Sequence, residues 1–135
     1  ECITLEIVVD NKKIILLSLY RSPSQCPETF AEFLENFEND LRIIYSLEPF
    51  LITVPGDFNA KSSHWCPNDT SSNEGILIDS LSSYYGLFQL ISERTHILPN
   101  SSSCIDLIFT SQPNLVIQSG VYPTLHSNCH HNIIL

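Results

Sequence analysis

Between Phe50 and Ala60 the chain runs from the apolar, β-branched stretch Leu51-Ile52-Thr53-Val54 through Pro55-Gly56 into Asp57-Phe58-Asn59 without a spacer. The apolar part predicts a strand buried on both faces, and Pro55-Gly56 marks where it leaves the core. If the backbone stays extended, Asp57 and Asn59 project to one side and Phe58 turns back inward. A carboxylate and an amide then share a rim at the carboxyl end of a buried strand, where open α/β sheets place ligands. Gly, Asp and Asn also suit an ordinary turn, so the motif acquires meaning only from its companions.

The 135 residues, 43% hydrophobic, are enough for a real core and too few for more than one domain, taken as residues 1–135. No apolar run of membrane-spanning length occurs, so no membrane partner is expected, and no targeting signal or internal repeat stands out. Both ends read as strand, which predicts that they belong to a longer polypeptide. Cysteines at 2, 26, 66, 104 and 129 are odd in number and form no C-x-x-C pair, against a disulfide scaffold and in favour of a reducing compartment. A formal charge of -9 with only six Lys and Arg excludes a broad basic groove within these residues. Divalent cations or other segments must supply any positive field that a nucleic acid would need.

Ile3, Leu5, Ile7 and Val9 alternate with Thr4, Glu6 and Val8, predicting a strand with one face to the core. A turn at Asp10-Asn11-Lys12-Lys13 leads into an interior strand over 14–20, which ends on Tyr20-Arg21-Ser22-Pro23. Arg21 reads as a surface cation. Pro27 and a Thr29-x-x-Glu32 capping box announce a helix to about Ser46, with a core-facing stripe of Phe30, Phe33, Leu34, Phe37, Leu41 and Ile44. Strand, helix, strand favours parallel pairing of the Tyr20 and Asp57 strands, with both polar tips at one edge.

Residues 61–73 read as a loop, in which His64 and Trp65 could touch a substrate or anchor the loop. A second helix follows from about Asn73, with Leu77, Ile78, Leu81, Tyr84 and Tyr85 as its buried stripe and Gly86 as its C-terminal cap. Residues 87–91 form a short strand, 92–96 and 101–103 are loops, and 104–109 is a buried strand carrying Asp106. A buried carboxylate needs a partner, because burying it alone costs on the order of 3 kcal/mol or more. Imidazoles at His126, His130 and His131, just ahead of the final strand, are the natural candidates.

Tyr20-Arg21-Ser22-Pro23, Gly56-Asp57-Phe58-Asn59-Ala60, Ser103-Cys104-Ile105-Asp106-Leu107-Ile108-Phe109 and His130 occur in the order found in the endonuclease/exonuclease/phosphatase family. The chain most resembles the apurinic-type endonuclease domain of non-LTR retrotransposons. The resemblance implies an α/β fold: a two-sheet mixed β-sandwich flanked by helices, DNase I-like, here incomplete. It implies hydrolysis of DNA phosphodiesters with Mg²⁺ or Mn²⁺, in a nuclear polyprotein that also carries a reverse transcriptase region. Asp57 would orient or deprotonate the attacking water, Asn59 would hold the scissile phosphate, and Tyr20 would lie beside it. Asp57 and Asn59 are the residues here that would face the metal. Asp106 would fix the imidazole of His130, which stabilises charge on the phosphoryl oxygens, and Thr95 matches a threonine near the family's site.

The family's amino-terminal asparagine and its metal-binding glutamate have no counterpart here. Its closing Ser-Asp-His falls on Asn128-Cys129-His130, which puts Cys129 where an aspartate is expected. A thiol, with a reference pKa of about 8.5, is mostly protonated and suits Mg²⁺ poorly. Little or no nuclease activity is therefore expected of these residues alone, and Cys129→Asp in a full-length version should raise it. Two alternatives stand beside this reading. One is a phosphoesterase of the same fold acting on inositol phosphates or lipids; the other is a noncatalytic relic, or a zinc-binding domain using His126, Cys129, His130 and His131 with Cys66 or His64.

Overall fold

The structure is a computed structural model that describes residues 1–23, 27–124 and 129–135. Strands β1 (Cys2–Val9) and β2 (Lys12–Tyr20) pair antiparallel through a tight turn in which Asp10 and Asn11 both take positive φ, 49° and 59°. That left-handed pair matches the twist of a two-residue hairpin, and Asp and Asn tolerate it better than most residues. Helix α1 (Pro27–Ser46) then crosses over to β3 (Leu51–Asp57), which lies parallel to β2 with Tyr20 opposite Asp57. The expected crossover is thus formed. Thr29 lies inside the first turn of α1, two residues past its first residue.

Helix α2 (Asn73–Tyr84) follows the 61–72 loop, and after it come β4 (Phe88–Gln89), β5 (His96–Leu98), β6 (Ser101–Ser103) and β7 (Asp106–Thr110). The chain closes with β8 (Val121–Tyr122) and β9 (Ile133–Ile134). The main sheet has the order β1-β2-β3-β7-β4, with one parallel and three antiparallel pairings, so β3 is central and β2 and β7 flank it. Among the described residues, β5–β6 and β8–β9 are separate two-stranded ribbons, so the second layer of the sandwich is only partly built.

One face of the sheet is the core. Ile15, Leu17, Leu19, Ile52, Val54, Leu107 and Phe109 alternate inward and meet Phe30, Phe37, Leu41 and Ile44 of α1 and Ile78 of α2. Removing a side chain such as Phe37 or Leu41 from this layer should cost about 2–5 kcal/mol. The core stripe expected for α1 is therefore real. That of α2 is narrower than its spacing suggested: Ile78 is buried, but Leu77 and Tyr84 are exposed, because only one edge of this helix meets the sheet. Ser72 caps α2, its Oγ accepting from Gly75 N at 3.1 Å, and Gly86 closes it at φ 64°.

The opposite face differs from expectation. Every residue of β1 is exposed, including Ile3, Leu5, Ile7 and Val9, and on β2 and β3 only alternate residues are buried. The strands at 14–20 and 51–54 are central in the sheet without being covered on both sides. Alternation reports which residues favour burial; it does not supply what covers them. Loops are expected at 92–96 and 101–103, but His96–Leu98 and Ser101–Ser103 pair as a hairpin. The strand expected at 87–91 is reduced to Phe88–Gln89.

Candidate active site

Strand register assembles the site. Tyr20 pairs with Asp57 across β2–β3 and Asp57 with Asp106 across β3–β7, so three neighbouring strands place a phenol and two carboxylates in one row. Leu19, Val54, Leu107 and Phe109 on the same strands point into the core, so by alternation the row lies on the opposite face. Gly56 makes the row possible, because a Cβ there would lie 2.2 Å from Leu19 O. Any side chain at Gly56 would push β2 and β3 apart beside Asp57.

The Gly-Asp-Phe-Asn segment is both strand end and turn. Phe58 is fully buried, as expected, packing edge-on to Phe37 and Phe109 at 6.2 and 5.3 Å between centroids. Asn59 takes φ 46°, its N–H donates to Asp57 Oδ1 at 3.0 Å, and its Nδ2 donates to Arg21 O at 2.8 Å. The turn is locked from the other side by Arg21, which is no surface cation. Arg21 is 4% exposed, donates from Nε to Phe58 O at 2.6 Å and from its terminal nitrogen to Asn59 O, and lies over the Phe30 ring. Its guanidinium is satisfied by backbone carbonyls, and burial lowers its pKa.

Asp106 meets an imidazole, but that imidazole belongs to His131. His131 Nδ1 lies 3.0 and 3.1 Å from the two Asp106 oxygens, whereas His130 is exposed and its ring stands 6.3 Å from that of His96. The pairing expected between Asp106 and His130 is thus corrected by one residue. Backbone bonds set the phase: Asn132 N donates to Thr95 O at 2.7 Å and Ile97 N to His130 O at 2.8 Å, which turns His131 towards Asp106. When the Ser-Asp-His match is made to end on the histidine that meets Asp106, Cys129-His130-His131 takes its place. His130, rather than Cys129, then stands at the aspartate position. Cys129 is exposed and its thiol donates to His131 O at 3.4 Å; Asn128 and His126 lie outside the described residues.

Thr95 is completely buried and holds the Asp106 strand in place. Its Oγ1 accepts from Ile105 N at 3.1 Å and Asp106 N at 2.9 Å, while its own N–H donates to Ser103 O. Next to it, Arg94 pairs with the buried Asp69 carboxylate, whose other oxygen accepts from Cys104 N at 3.1 Å. Sequence reasoning missed Asp69 and Arg94 entirely. Trp65 is the anchor of its loop, 4% exposed and bonded through Nε1 to Asp79 at 2.8 Å; His64 donates to or accepts from the same carboxylate at 2.7 Å. Among the described residues, the zinc set expected from Cys66 or His64 with Cys129, His130 and His131 does not gather: the donor atoms that converge are those of Asp57, Asp106 and His131, and His64 is engaged by Asp79.

The electrostatics favour a cation. Burial pushes the Asp57 carboxyl up, against the pull of the Asn59 amide; the Asp106 carboxylate adds to the rise and His131 opposes it. No Lys or Arg among the described residues forms an ion pair with Asp57 or Asp106. One ligand atom from each of Asp57, Asp106 and His131 lies within 4.8 Å of the others, a donor set that fits a divalent ion.

Comparison with known proteins agrees with this architecture. Residues 14–135 match the profile of the endonuclease-reverse transcriptase family. The fold is similar to the endonuclease domain of TRAS1, a telomere-specific non-LTR retrotransposon, with a TM-score of 0.77 and 23% identity over 98% of this chain and 61% of that one. It is also similar to an endonuclease/exonuclease/phosphatase family protein from Bacteroides thetaiotaomicron, with a TM-score of 0.59 and 16% identity over 93% of this chain and 50% of that one. The chain therefore has the DNase I-like fold and spans about three-fifths of the TRAS1 domain. No curated protein matches it. With the match extending over most of its length, the chain belongs to the endonuclease-reverse transcriptase family.

Proposed function

We propose that this chain is part of a divalent-metal-dependent DNA endonuclease of a retrotransposon polyprotein, acting on chromosomal DNA in the nucleus beside a reverse transcriptase region. The observation that carries the reading is the row of Asp57, Asp106 and His131, whose donor atoms converge within 4.8 Å at one end of the main sheet. Asp57 and Asp106, with Asn59 beside them, would hold Mg²⁺ or Mn²⁺. When bound, that ion supplies the positive charge that draws in a phosphate and offsets the charge that develops on it.

In this reading Asp57, whose carboxyl is raised by burial, accepts a proton from a water as that water's oxygen attacks phosphorus. The bridging P–O bond opposite the attacking oxygen breaks, and the departing alkoxide takes a proton from solvent. His131, oriented by Asp106 through Nδ1, presents Nε2 to the non-bridging oxygens. Asn59 spends one amide hydrogen on Arg21 O and keeps its second hydrogen for a phosphate oxygen. Tyr20, 46% exposed beside Asp57, flanks the same phosphate.

These residues alone should cleave poorly, because the apolar face of β1 is bare and the row carries few hard oxygen ligands. The test is plasmid nicking in Mg²⁺ by a polypeptide carrying this chain within a full-length domain. Asp57→Asn and His131→Gln should each lower nicking by about 100-fold or more, the scale set by removing a general base or a charge-stabilising donor. His130→Gln should leave it within a few-fold. Full activity in Asp57→Asn, or loss in His130→Gln with His131→Gln active, would overturn the assignment. Hydrolysis of phosphoinositides without nicking would replace DNA as the substrate.

A further inference from the structure

Helix α1 leaves one margin of the main sheet uncovered, and a groove runs along it. Cys2, Thr4 and Glu6 of β1 stand opposite Leu19, Leu17 and Ile15, which point into the core, so these three residues face the α1 side. β1 nevertheless contributes no residue to the core cluster, which joins α1 to β2, β3 and β7. Between strand and helix lies a cavity of about 500 Å³, with Leu19, Phe33 and Phe37 as its floor and Glu1, Glu32 and Asp40 at its rim. A second cavity of about 220 Å³, lined by Ile15, Ile43, Ile44 and Leu47, continues it past Asp40, which borders both. Phe33, Phe37, Asp40, Ile44 and Leu47 recur every three or four residues, so one face of α1 walls the whole groove. From Phe33 to Leu47 that wall is roughly 21 Å long at about 1.5 Å per residue, the reach of roughly six extended residues.

The rim is acidic and short of cations. Among the described residues no ion pair engages Glu32 or Asp40; Asp40 Oδ2 accepts from the Cys2 thiol at 3.6 Å, and Lys13 pairs with Glu6 at 3.8 Å towards the far end. An apolar floor beneath carboxylates suits a side chain with an aliphatic stem and a cationic head, which is the build of Lys and Arg. Copies of a chain with formal charge -9 repel one another, so the complementary occupant is a different polypeptide that brings positive charge. The groove lies on the α1 side of the sheet, whereas Asp57, Asp106 and His131 lie on the other face.

We propose that the groove between β1 and α1 docks an extended basic segment of a partner protein. Its Lys or Arg stems lie on Leu19 and Phe33, and their cations meet Glu32 and Asp40. Because the groove and the carboxylate row are on opposite faces, docking leaves the row open. The proposal does not depend on the hydrolytic reading.

Fluorescence anisotropy with a labelled decapeptide alternating lysine and serine tests the groove, using both the full-length domain and the 135-residue chain. Both should bind the peptide. Glu32→Gln combined with Asp40→Asn should weaken binding by about ten-fold. Glu35→Gln combined with Glu38→Gln makes the same change of charge on residues that line neither cavity, and should leave affinity within about two-fold. A peptide with diaminopropionate in place of lysine keeps the charges and loses the stems, so it should bind several-fold more weakly. Trp65 fluorescence shows whether each variant has kept its core. Equal losses in the two double variants, or equal affinity for the two peptides, would reduce the effect to general charge attraction and overturn the proposal. Binding to the 135-residue chain but not to the full-length domain would assign the groove to the chain's own polypeptide. A chain that sediments as a dimer and ignores the peptide would assign it to a second copy; either result, or no binding at all, overturns the proposal.

Discussion

Replacing Arg21 by Lys keeps the charge and removes the fork. In the structure Nε and a terminal nitrogen of Arg21 donate to two different carbonyls, Phe58 O and Asn59 O, and the guanidinium lies 5.4 Å from the Phe30 centroid. A lysine ammonium is a point donor that cannot span both carbonyls from that position. One charge-assisted bond is lost, about 1.5–3 kcal/mol, and stacking over Phe30 worth about 0.5–1 kcal/mol goes with it. The relief of a buried cation's desolvation is small, since the ammonium stays buried. A net loss of about 2–3 kcal/mol follows, which at a urea slope of about 1–3 kcal/mol/M moves the midpoint down by roughly 1–2 M. Urea unfolding followed by Trp65 fluorescence reads this directly, because Trp65 is the single tryptophan and is packed edge-on to Phe109 at 5.9 Å. A shift too small to resolve, with the slope unchanged, would refute the idea that Arg21 clamps the turn carrying Asp57 and Asn59.

Thr95→Val should destabilise the chain by about 2–4 kcal/mol, because two buried N–H groups lose their acceptor, whereas Thr95→Ser should recover most of it; thermal unfolding of the pair decides. Asp57→Asn should raise Tm at pH 7, since burial has lifted the folded carboxyl above its unfolded value. A raised carboxyl favours the folded state at low pH and costs stability as pH climbs through the folded pKa, so the gain should fade as pH falls towards about 4. Asp106→Asn should lower the pKa of Asp57, read by carboxyl carbon NMR, because it removes the neighbouring negative charge; an upward shift would contradict the coupling.

The order β2-α1-β3 and the parallel pairing of the Tyr20 and Asp57 strands were legible, since an amphipathic helix between two apolar runs leaves few alternatives. Gly56-Asp57-Phe58-Asn59 was legible for a similar reason: its polar and apolar residues alternate, and Phe58 is buried where that alternation puts it. The choice between His130 and His131 was not. Adjacent residues of an extended segment face opposite sides, and which one meets Asp106 depends on the bonds of Thr95 and Ile97 with the closing segment, a pairing that no local pattern encodes. Arg21 was misread because its partners are carbonyl oxygens, which leave no mark in the sequence. The 96–103 hairpin hid behind Ser101-Ser102-Ser103, although Pro99-Asn100 at its tip is a turn signal.

The most direct test of the convergent site is an amide NMR titration with Mn²⁺, whose unpaired electrons broaden nearby resonances. The account predicts that broadening begins at Tyr20, Asp57, Asp106 and His131 and is lost in Asp57→Asn combined with Asp106→Asn. Broadening that starts instead along the acidic surface of α1 and survives both substitutions would contradict it.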